Sequence, residues 1–121
     1  MSPIRARVAQ RQGYAIVNDH GETVAEFARI EGLQDCLDMK AHPPDGLYSF
    51  PDLYFEASAH REQEYFKEWS QSSGEMRDLR IERLSDSRIV KVSGCFIHRS
   101  SWSTTGGSDY FTVVINDVYE I

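Results

Sequence analysis

The sequence has few cysteines, no cysteine pair at metal-binding spacing and no long hydrophobic run, and each lack closes off a class of protein. Its two cysteines, Cys36 and Cys95, are far apart and form no Cys-x-x-Cys. That argues against a disulfide scaffold or a zinc ribbon and predicts two reduced, buried thiols in a cytoplasmic chain. No apolar stretch reaches the roughly 18 residues that a membrane-spanning helix needs, so no membrane association is expected. The opening residues, Met1-Ser-Pro-Ile-Arg-Ala-Arg7, carry no apolar signal region. Internal repeats, linkers and low-complexity segments are also missing.

Catalytic signatures are equally sparse. His60 and Glu64 share one face of an expected helix, but the second histidine of His-Glu-x-x-His is missing. His20, His42 and His98 fall in a turn, a proline loop and a strand, so no metal and no cofactor are expected. Cys95 and His98 are three residues apart, which on a strand aims them at opposite faces unless Gly94 introduces a bulge. The hydroxyls from Ser100 to Thr105 lack a Gly-x-Ser-x-Gly elbow, and no Lys-Ser or Lys-Thr follows Gly106-Gly107. An enzyme is therefore not expected.

What is present supports one compact α+β domain over residues 1–121. The chain is 40% hydrophobic and 12% aromatic, enough for a core without staples. The strongest signal is C-terminal. Two β-type runs, Arg88–Arg99 and Tyr110–Ile121, flank the polar loop Ser100–Ser108. Period-two alternation nominates Phe111, Val113, Ile115 and Tyr119 as the buried face of the second run. In the first run Val90, Val92 and Phe96 share a face with Gly94, and a glycine in mid-strand marks a bulge or a close approach. Trp102, a large ring in a polar loop tip, is expected to fold back on the sheet.

Upstream, Ile4–Gln10 carries a faint strand pattern. Gly13–Val17 and Thr23–Ala28 read as a hairpin around Asn18-Asp-His-Gly21. Ile30, Leu33, Cys36 and Leu37 recur at helical spacing, which predicts a short helix over Glu31–Lys40 that the prolines after His42 terminate. A short strand is expected at Leu53–Ala57. A longer helix, capped by Ser58, should then run from Ala59 to Gln71 with Tyr65, Phe66 and Trp69 inward. Glu75–Leu84 reads as a half-exposed strand with Leu79 and Ile81 inside and a basic outer face. The expected architecture is an antiparallel sheet, N-terminal hairpin plus C-terminal strands, with both helices on one face.

Charge is uneven along the chain. The net charge is −6, yet residues 15–75 hold thirteen acids against four bases, a local −9. Such a balance disfavours direct nucleic-acid binding and suits a protein partner with a basic surface. The leading expectation is a small acidic non-enzymatic protein that binds and inhibits such a partner. Immunity proteins and phage-encoded inhibitors of nucleic-acid machinery are of this physical kind. Its expected contact residues are Asp35 and Asp38 on the first helix, Glu62, Glu64 and Glu68 on the second, and Trp102. One alternative is a ligand- or single-stranded-nucleic-acid-binding module, with Phe96, Trp102, Tyr110 and Phe111 beside Arg88, Lys91 and Arg99. The other is a structural subunit that assembles through strand edges.

Overall fold

The computed structural model describes residues 12–57, 63–102 and 108–121. Strands β1 (Tyr14–Val17) and β2 (Thr23–Phe27) form the expected hairpin. Asn18 closes its turn, its Oδ1 accepting the backbone N–H groups of His20 and Glu22 at 2.9 and 3.0 Å. The weak strand expected at Ile4–Gln10 lies outside the described residues.

After β2 the chain departs from its sequence pattern. Arg29–Glu31 is a strand, β3, and the first helix, α1, runs from Leu33 to Ala41 instead of starting at Glu31. The cause is tertiary: Ile30 pairs with Phe55 of β4 (Leu53–Glu56), so strand pairing overrides its helical spacing. The second helix, α2, spans Glu64–Ser70; residues 59–62 of its expected range lie outside the described residues. Gln63 leaves helical geometry at φ −121°, and its Nε2 donates to the Glu26 carbonyl at 2.6 Å. At seven residues α2 is shorter than the nine of α1, so the expected order of lengths is reversed among the described residues. Ser58, the expected cap, lies outside them.

The remaining strands are β5 (Arg77–Arg83), β6 (Arg88–Ser101), β7 (Tyr110–Val114) and β8 (Asp117–Glu120). Among the described residues all pairings are antiparallel, in the order β2-β1-β5-β6-β7-β4-β3, with β8 pairing β6. Strands β2 and β3 are the two ends of that order, yet only Ala28 separates them in the chain. A sheet whose end strands are joined by one residue must curl on itself. Ala28 donates to the Glu56 carbonyl at 3.0 Å, and Phe27 meets Phe55 with ring centroids 5.0 Å apart. The fold is thus α+β, an antiparallel sheet bent toward a barrel around its core.

The inner face holds that core. Phe66 of α2 sits among Phe27, Phe55, Phe111 and Trp69, its centroid 4.8 to 5.5 Å from each of theirs. Cys36 of α1 and Phe66 and Trp69 of α2 belong to one hydrophobic cluster, so both helices cover this face. They take opposite ends of β5: α1 lines a cavity with Arg83, whereas Tyr65 and Trp69 of α2 flank Arg77. The outer face of β5 is not basic as expected. Arg77 and Arg83 have the parity of buried Leu79 and Ile81, and Asp78, Arg80 and Glu82 face outward.

Gly94 bends the C-terminal hairpin. It takes φ +59°, and a Cβ there would lie 2.7 Å from the Asn116 Cβ. Between Leu79 and Arg77 of β5 there is one residue, but between their partners Val92 and Cys95 there are two. Asp78 Oδ1 accepts the N–H of Gly94 at 2.9 Å, so the bulge leaves no stranded donor there. At this corner both strands exchange inner for outer parity. Val90, Val92 and then Cys95 are buried on β6, and Phe111, Val113, Ile115 and then Val118 on the return. Tyr119, expected inside, is 42% exposed because the switch precedes it.

Candidate functional site

Among the described residues the most exposed large apolar side chain, Leu47, lies between α1 and β4. Gly32 caps the N-terminus of α1 at φ +93°, where a Cβ would meet the Asp52 carbonyl oxygen at 2.9 Å. The helix is then fastened at two points. The buried Cys36 thiol donates to the Pro51 carbonyl at 3.4 Å, and Lys40 Nζ donates to Asp117 Oδ1 of β8 at 2.6 Å. That contact holds the Asp117 carboxyl below its ordinary pKa and raises that of Lys40.

Between these fastenings every residue from Ala41 to Ser49 is exposed. Leu47 is 106% exposed and Tyr48 41%. Tyr48 rests edge-on against half-buried Phe50, centroids 5.8 Å apart, and Phe50 packs on the core. A groove of about 270 Å³ beside the loop is lined by Lys40, Tyr48, Ser49, Phe50, Ile115 and Asp117 among others. Single exposed leucines are ordinary; here one is followed directly by a partly exposed tyrosine on an anchored loop. Its surroundings are acidic: residues 31–52 carry five acids and one lysine, a net −4. Asp35, Asp38, Asp45 and Asp52 are all exposed there.

The expected contact residues do not form one surface. Asp35 and Asp38 flank this loop, and Asp38 accepts from Gln34 Nε2 at 2.9 Å. Glu64 and Glu68 are exposed on α2, at the other end of β5, and Glu62 lies outside the described residues. Lys67, between them, turns inward to buried Asp109, Nζ to Oδ2 3.6 Å. Trp102 folds back as expected. It stacks on Phe111 at 6.3 Å and 28°, with Lys67 Nζ 5.8 Å from its ring centroid. The aromatic set proposed for nucleic acid is split, since Phe111 is buried under Trp102 and Tyr110 tilts onto Tyr54 at 5.7 Å. Arg88 of that set binds Glu120 through Nε and Nη2.

Cys95 and His98 do not cooperate: the thiol is buried, pushed up to about 12 by desolvation, and the imidazole is exposed. Among the described residues no cluster of three His, Cys, Asp or Glu could hold a metal ion. No described helix is long and apolar enough to cross a membrane. Sequence reasoning placed Tyr48 in a loop but did not single out the exposed Leu47. The signal was local: Gly46-Leu47-Tyr48 follows two prolines, which hold a chain away from regular structure. Compared with protein-family models, curated proteins and solved structures, the chain matches none.

Proposed function

We propose that this is a small acidic binding protein that docks on, and blocks, a larger protein with a basic surface, using the 41–49 loop and α1. The observation that carries the reading is Leu47, wholly in water on a loop fastened at both sides. A loop anchored in its bound shape loses less entropy on docking. Burying one leucine contributes about 1.5–3 kcal/mol, and Tyr48 beside it supplies a rigid aromatic contact. Asp35, Asp38, Asp45 and Asp52 around the loop would speed encounter with lysines and arginines and disfavour acidic surfaces.

The test compares wild type with Leu47→Ser/Tyr48→Ser, each immobilised in extract from the native host at low salt. The expected result is a basic protein retained by wild type, released by salt and lost by the variant. An equal yield of that protein from both, or retention only of acidic proteins, would overturn the reading.

A further inference from the structure

At the α1 end of the bent sheet the inner face carries a rung that the core does not explain. Register places Tyr14 of β1 opposite Arg83 of β5, and Arg83 opposite Arg88 of β6. The next rung inward is Ile16, Ile81 and Val90, all buried. Since Tyr14 and Ile16, Arg83 and Ile81, and Arg88 and Val90 each share parity, the tyrosine and both arginines face the interior. Like charges directly opposed on neighbouring strands are unfavourable. Each arginine is met by a carboxylate at the edge, Arg83 by Asp86 and Arg88 by Glu120. Each of these pairs engages Nε and Nη2, two of the five guanidinium donors.

This rung opens on a cavity of about 160 Å³. Its floor is Ile30, Ile81 and Val90, and Leu33 and Leu37 of α1 close one side. A cavity near 150 Å³ with such a lining accommodates a benzene-sized body. The arginine side chains at its mouth are 38% and 40% exposed, so an incoming anion need not cross the core.

We infer that this cavity is a binding site for a small monocarboxylic acid with one aromatic ring or a short branched chain. The apolar body rests on Ile30, Ile81, Val90, Leu33 and Leu37. The carboxylate bridges Arg83 and Arg88 through donors outside their edge pairs. Tyr14, at the end of the same rung, offers its hydroxyl to a carboxylate oxygen. The site uses Leu33 and Leu37 of α1 but none of the 41–49 loop, and stands without the docking proposed for that loop and the acidic residues of α1.

Benzoate serves as the probe, with benzyl alcohol as its neutral counterpart, in NMR titrations of the full chain. Saturable benzoate shifts at Ile81, Val90 and Tyr14 are expected, with affinity about tenfold or more lower in Arg83→Gln and in Arg88→Gln. Benzyl alcohol should bind more weakly than benzoate to wild type and be indifferent to both substitutions. Leu37→Phe, on the half-exposed wall, should block benzoate without touching either arginine, and provides a second variant should the arginine changes unfold the chain. No saturable shift at millimolar benzoate, shifts confined to other residues, or equal affinity for the neutral probe would overturn the inference.

Discussion

Gly94 is the residue on which both C-terminal strands turn. At φ +59° an alanine would be strained by about 1–3 kcal/mol, and its Cβ would lie 2.7 Å from the Asn116 Cβ. Gly94→Ala should therefore lower the urea midpoint, and an unchanged midpoint would refute the corner geometry. Asp78→Ala should cost about 1–3 kcal/mol at the same corner by leaving the Gly94 N–H without its acceptor. The buried phenyl ring of Phe111, against Phe66 and Trp102, predicts a loss of about 3–5 kcal/mol for Phe111→Ala in the same unfolding assay. The two thiols make a pH prediction. Burial raises Cys36 to about 11 and Cys95 to about 12, above the roughly 8.5 of an unfolded cysteine. Below the unfolded value both states hold the proton and stability is unaffected. Above it the unfolded chain ionises first, so stability falls as pH rises toward 11 and 12. Cys36→Ala/Cys95→Ala should flatten this alkaline decline in denaturant midpoints, whatever its effect at neutral pH.

At the scale of elements, the two helices divide the roles that charge alone had merged. Helix α2 is a core element: Phe66 and Trp69 are buried, Trp69 Nε1 donates to the Glu75 carbonyl at 2.8 Å, and Lys67 turns in toward Asp109. Its exposed Glu64 and Glu68 are four residues apart, and their mutual repulsion is worth a few tenths of a kcal/mol. Helix α1 is held more lightly, by Cys36, Leu33, Leu37 and the exposed Lys40–Asp117 pair. Asp117→Asn should cost no more than about 1 kcal/mol, since an exposed pair contributes little. Charge reversal separates the two surfaces. Asp35→Lys/Asp38→Lys should slow association with the proposed basic partner most at low salt, the defect shrinking as ionic strength rises. Glu64→Lys/Glu68→Lys should leave the same association rate nearly unchanged. The opposite pattern in stopped-flow binding would place the proposed docking face on α2 instead.

For the whole molecule, closure of the sheet is the governing event. The strand that bends at Ala28 pairs with β1 on one side and β4 on the other, so the N-terminal hairpin and the C-terminal strands share one core. Unfolding should be a single transition, with tryptophan fluorescence and far-ultraviolet dichroism superimposing across urea. Separate midpoints would show that the hairpin and the C-terminal strands unfold as independent units.

Much of this was legible in the residues. The two C-terminal runs, the N-terminal hairpin around Asn18–Gly21, the inward Phe66 and Trp69 and the bulge at Gly94 follow from local alternation, helical spacing and turn chemistry, which need no distant partner. Tertiary structure alone decided that Ile30 is a strand residue, that Val118 and not Tyr119 is buried, and that Tyr14 lies opposite Arg83. Each of these depends on pairing between segments far apart in the chain, and a short strand takes its conformation and its face from its partner. Leu47 completes the division: its neighbours forbid regular structure, but its full exposure follows only from where α1 and β4 are fastened.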